Sequence, residues 1–143
     1  LHSLPNSIHD PFEITSPDTG AYNCIAWALE RTDRNYWVQP EEFFYWPPGL
    51  PRIESIDAFI LLFETAGYFL CDTAEPEAGF EKVALFIKDG LPTHAARQLP
   101  DGQWTSKLGI LEDVRHSLQS ISGGLYGDPA VFMKRKNEAG KTT

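Results

Sequence analysis

The chain has 143 residues, 42% of them hydrophobic and 22% charged, which suits one domain with enough mass for a buried core. Its net charge of −8, with no visible basic run, speaks against nucleic-acid binding and, more weakly, against attachment to anionic membranes. Aromatic residues reach 13%, and Pro and Gly number 11 each, so a loop-rich fold with aromatic packing is expected rather than a helical bundle.

Residues 1–21 carry Pro5, Pro11, Pro17 and Gly20 among polar residues and read as an extended lead-in. A core over 22–135 and a flexible tail over 136–143 complete a single domain spanning 1–143. A first helix is expected to begin near Tyr22 to Cys24, with Ile25, Trp27, Ala28 and Leu29 on its apolar side, and to end near Thr32 to Asp33. The stretch 34–53 is too rich in proline for a long helix, and reads as a loop packing Trp37, Phe44 and Trp46 over a core or along a groove. The second helix has Ser55 as N-cap, Ile56, Phe59, Ile60 and Phe63 at helical spacing, and Gly67 as its stop. Tyr68 to Cys71 reads as a short apolar strand that buries Cys71.

"KVALFIKDG", "PTHAARQL" and "QWTSKL" then read as a three-stranded meander. Pro-Asp-Gly between the last two favours a three-residue loop with Gly102 in the left-handed region. That register pairs Leu99 with Gln103 and puts His94, Trp104 and Ser106 on one face; a two-residue loop would put Thr105 and Lys107 there instead. A short helix is expected in 111–121, a turn-rich loop in "SGGLYGDP", and a last strand in "AVFMKR".

The chemistry centres on Cys24. A helix N-terminus favours a thiolate, because free backbone N–H groups face the anion. His94 opens a downstream strand and supplies the base that a cysteine nucleophile needs. Ser106 would hold the imidazole ring, with Asp101, Asp113 and His116 as other candidates for that third role. The backbone N–H of Cys24 would serve as one oxyanion donor and Tyr22 or Asn23 as the second. Tyr22, Asn23, Trp37 and Trp104 would contact substrate. Cys24 and Cys71 lie outside any CxxC or CxxH pattern, no His, Asp or Glu spacing suggests a metal, and no cofactor is expected. With no signal peptide or long apolar run, a cytoplasmic location without a disulfide is expected, or export without a classical signal peptide if the chain is an effector domain.

The order of a helix-borne cysteine, a strand-opening histidine and a polar residue on the next strand resembles the papain-like superfamily, in its NlpC-type, CHAP and transglutaminase-like forms. "HAARQLPDGQW" is similar to the transglutaminase-like pattern, which has an aspartate where this strand reads "WTSKLG". "YNCIAWAL", "FEKVALF", "PTHAARQLPDGQWTSKLG" and "SGGLYG" together resemble an uncharacterised bacterial domain family. The resemblance implies an α+β, papain-like fold, an antiparallel β-sheet packed against an N-terminal helix that carries the cysteine. It implies a thiol hydrolase acting on a peptide or other amide substrate. A transglutaminase-like acyl transferase or deamidase would use the same residues. A secreted toxin or effector module, with an inhibitor or immunity protein as partner, stays open. So does a non-catalytic binding module on the same fold.

Overall fold

The structure is a computed structural model, and it describes residues 6, 13–16, 23–30, 35–37, 44–107, 113–124 and 126–137. In chain order the elements are β1 (Glu13–Ser16), α1 (Cys24–Ala28), β2 (Asn35–Tyr36), β3 (Phe44–Tyr45), α2 (Ile56–Glu64), β4 (Phe69–Cys71), β5 (Phe80–Lys88), β6 (Leu91–Gln98), β7 (Trp104–Lys107), β8 (Asp113–His116) and β9 (Asp128–Lys136). A 3₁₀ turn at Gln119–Ile121 precedes β9. The architecture is α+β. A seven-stranded sheet of order β1-β8-β7-β6-β5-β9-β4 is antiparallel throughout, and β2 and β3 form a separate parallel pair.

The predicted hairpin register is the one found. Leu99 donates to the Gln103 carbonyl at 2.7 Å, Gln98 lies opposite Trp104, and Gly102 takes φ +90°. The Asp101 carboxylate accepts from the Gln103 N–H at 2.9 Å, which completes the turn. α2 begins where its cap predicts: the Ser55 hydroxyl accepts from the Ala58 N–H at 3.2 Å. It ends before Gly67, at φ +92°, a conformation that costs a residue with a Cβ about 1–2 kcal/mol.

Other expectations need correcting. The short helix expected in 111–121 is confined to the 3₁₀ turn Gln119–Ile121, and residues 113–116 before it form a strand, because β8 completes the ladder between β7 and β1 and buries Val114. The proline-rich stretch is not all loop, since it contains β2 and β3. The first helix is only five residues long among the described residues, and Thr32 and Asp33 lie outside them. Cys71 is half-buried rather than a core residue, because β4 is an edge strand with Phe69 and Leu70 exposed. Most of the lead-in and all of 138–143 lie outside the described residues.

The sheet carries a core on each face, as the period of two requires. On one face Val83, Leu85, Ala95 and Met133 meet α1 and α2, with Trp37 edge-on and Trp46 tilted against Phe59 at 5.1 and 5.2 Å. On the other, Ala84, Phe86, Ala96, Trp104 and Val114 are closed over by Ile121 and Tyr126. Arg135 of β9 anchors the end of the cysteine helix. It donates to Glu30 at 2.6 Å, to Glu81, and to the Ala66 carbonyl at 2.8 Å, while its guanidinium lies 4.5 Å from the Tyr68 ring centre.

Candidate active site around Cys24 and His94

α1 is nucleated by its cap. The Asn23 side chain accepts from the Ala26 N–H at 3.1 Å and from the Tyr36 N–H at 3.2 Å, and donates to the Tyr36 carbonyl at 2.7 Å. Asn23 therefore fastens α1 to β2, and its amide is committed to the backbone instead of being free for an oxyanion. Trp27, one turn on, donates from its indole to the Thr105 hydroxyl at 3.0 Å and ties α1 to β7.

This seating brings the Cys24 sulfur to the backbone N–H of Ala95, alongside the N–H groups of Ile25 and of Cys24 itself. Among the described residues β6 and β7 pair at Arg97–Thr105 and Gln98–Trp104. The Ala95 N–H, two residues beyond that pairing, meets sulfur. Ala95 directly follows His94, so the thiol and the histidine are neighbours through the backbone. They are not bonded: both His94 ring nitrogens are buried without a hydrogen-bond partner.

His94 points to the opposite side of β6 from Ala95. Its ring meets Phe86 edge-on at 5.3 Å and stacks on Tyr126 at 4.2 Å with 19° between planes. Burial, with the neighbouring His116, pushes its pKa down to about 3. Burial also dominates Cys24. The three N–H groups and the charge of buried Lys107 favour the thiolate, but desolvation outweighs them and pushes the pKa up to about 11. The expectation of an activated thiol is thus corrected for this conformation, for a physical reason: a five-residue helix offers a short dipole, and an unhydrated thiolate is costly. At neutral pH both groups are uncharged.

Ser106 lies on the predicted face but serves another residue. Its Oγ is 2.6 Å from His116 Nε2, and His116 Nδ1 is 2.6 Å from the Ser117 carbonyl. A carbonyl only accepts, so Nδ1 carries the proton and the Ser106 hydroxyl donates to Nε2. Ser106 is therefore not the residue that orients His94. Ser106→Ala should lower stability by about 1–3 kcal/mol, because a buried nitrogen loses its donor. The urea midpoint should fall accordingly, while the alkylation rate of Cys24 stays at the wild-type value.

Trp104 is a core residue packed near Phe132 and not a substrate contact, and Tyr22 lies outside the described residues. Trp37 does line a groove of about 550 Å³, with Glu54, Lys88, Leu91, Pro92 and Tyr126. Its indole donates to Glu54 at 3.3 Å. Sequence reading missed Tyr126, Lys107 and the Ser106–His116 bond as parts of this region. Tyr126 did carry a signal, as an aromatic set in the glycine-rich "SGGLYG". Among the described residues no cluster of His, Cys, Asp or Glu could hold a metal, and no helix is long and apolar enough to cross a membrane.

All of this sheet but the last two residues of β9, and the whole of the site, fall within one family. A family profile described as "Domain of unknown function (DUF7689)" matches residues 13–134, and the chain belongs to that family. No curated protein and no solved structure matches the chain.

Proposed function

We propose that this is a papain-like thiol hydrolase that cleaves an amide bond, with Cys24 as nucleophile and His94 as base. One observation carries the reading: a wholly buried imidazole with both nitrogens unpartnered, one residue from the N–H that meets the thiol sulfur. Buried polar groups are nearly always satisfied, and an unsatisfied one needs a reason. Catalysis supplies it. An imidazole kept free and neutral can take a thiol proton, and for that the start of β6 must turn His94 from the face it shares with Phe86 and Tyr126 to the face of Cys24. The Cys24 sulfur then bonds to the substrate carbonyl carbon. The tetrahedral oxyanion takes hydrogen bonds from backbone N–H groups at the start of α1. Collapse breaks the C–N bond, His94 returns the proton to the leaving amine, and water hydrolyses the thioester through the same base. An amine in place of water would make the reaction acyl transfer.

The missing Cys24–His94 hydrogen bond favours a second reading, a non-catalytic binding module on the same fold. A peptidyl vinyl sulfone separates the two. In a Cys71→Ser background it should modify Cys24 of the folded protein at pH 7 faster than it modifies the urea-unfolded chain, as read by intact mass. Slower modification of the folded protein would overturn the hydrolase reading and leave the binding module.

A further inference from the structure

Tyr126 stands where the groove meets the two buried groups. Its ring lies flat on His94 on one side and lines the groove on the other. Its phenol lies close enough to Cys24 for a charge on that sulfur to raise its pKa further, after burial has already done so. Its backbone is pinned. The Thr93 hydroxyl donates to the Tyr126 carbonyl, the Gly123 N–H to the Gly127 carbonyl at 2.9 Å, and the Gly127 N–H to the Gly124 carbonyl at 3.1 Å. Gly127 sits at φ +73°, so close to β5 that a Cβ there would fall 2.0 Å from the Ile87 carbonyl oxygen. The side chain, by contrast, makes no hydrogen bond among the described residues. A ring on a fixed backbone, held only by stacking, can swing without unfolding the turn that bears it.

We infer that Tyr126 is a gate: a large apolar side chain seated against Trp37, Leu91 and Pro92 takes the place of its ring and opens His94 and Cys24 to the groove together. The inference rests on the hydrolase reading for its purpose, and it adds a substrate class, an amide next to a large apolar residue. That residue suits the groove, where Leu91 is 46% exposed beside Trp37 and Pro92, with Glu54 and Lys88 also lining it.

The test needs no turnover. In a Cys71→Ser background, Cys24 is alkylated with the chloroacetyl derivatives of phenylalaninamide and of glycinamide. In each case sulfur bonds to the methylene carbon, chloride leaves, and the thiol proton passes to solvent. The phenylalanine reagent should modify wild-type Cys24 at least tenfold faster than the glycine reagent. Tyr126→Phe should keep that ratio, since the ring is the gate. Tyr126→Ala should speed the glycine reagent at least tenfold and bring the two rates within about twofold, with urea unfolding measured on the same samples. Equal rates in the wild type would overturn the gate, and so would loss of the ratio in Tyr126→Phe. An unchanged glycine rate in Tyr126→Ala, or a gain no larger than its loss of stability accounts for, would overturn it too. A protein that shows the gated ratio but fails the vinyl sulfone test keeps the gate and loses the hydrolase.

Discussion

Lowering the pH from 6.5 toward 3 should cost this domain on the order of 5 kcal/mol through His94 alone. In the unfolded chain the imidazole titrates at its ordinary value of 6.5, whereas in the fold it is held down to about 3. Between those values the unfolded chain binds a proton that the folded chain does not, so acid favours unfolding. The contribution is intact above pH 6.5 and is lost at about 1.4 kcal/mol per pH unit as the pH falls. Two causes act together. The ring is enclosed by Phe86 and Tyr126 with no acceptor for an added proton, and His116 adds a like charge nearby. Carboxylates contribute their own acid limb; Glu77, held below its ordinary range by Lys134, is one. They titrate mainly below pH 5, and the buried His116 is common to both proteins, so the difference in urea midpoint between wild type and His94→Leu at pH 7.0, 6.0 and 5.0 isolates His94. A flat profile across that range would mean that the imidazole is hydrated or paired in solution.

The fold was legible where a local rule and the tertiary environment agree. Alternation through "KVALFIK" and "THAARQL", with Pro-Asp-Gly at the second turn, is enough to place β5, β6 and β7 in register, because one residue of slip would exchange side chains between the two cores. Ser55 and Gly67 likewise bracket α2 from sequence alone. β8 was not anticipated because its outer partner β1 comes from the far end of the chain, and a four-residue strand has little period of its own to display. The candidate site divides in the same way. Cys24 and His94 are legible as residue types at an element start, and they end as neighbours because α1 docks on β6. Their protonation is not legible. A helix start is written in the sequence, but the desolvation that overrides it depends on what covers the sulfur. Ser106 shows the same limit, since sharing a face with His94 did not decide which of two histidines its hydroxyl would reach. Tyr126, more than thirty residues beyond His94 in the chain, becomes visible only when the turn before β9 lays its ring on the imidazole.

His94→Leu should separate stability from function. Leucine fits an apolar enclosure, and the replaced ring gives up no hydrogen bond, because neither nitrogen has one. Removing an unsatisfied buried polar group in favour of an apolar one of similar size is neutral or stabilising. The variant should therefore match or exceed the wild type by about 0–2 kcal/mol at pH 7. It should exceed the wild type by more at pH 5, where the wild type has lost about 2 kcal/mol of its histidine contribution and the variant has no such contribution to lose. The opposite sign is expected for chemistry. Without a base to accept the thiol proton, and with the Cys24 pKa pushed up to about 11, modification by the vinyl sulfone should slow by about 10²–10⁴-fold, the range typical of acid–base assistance. Cys24→Ala in the same background should abolish it. A residue kept for packing would behave in reverse, losing stability on replacement and leaving thiol chemistry untouched. If His94→Leu unfolds at lower urea concentration than the wild type at pH 7 and its Cys24 reacts at the wild-type rate, then His94 is a core residue. A gain in stability with a loss of reactivity is the trade-off of a site that holds an unfavourable group in place for use.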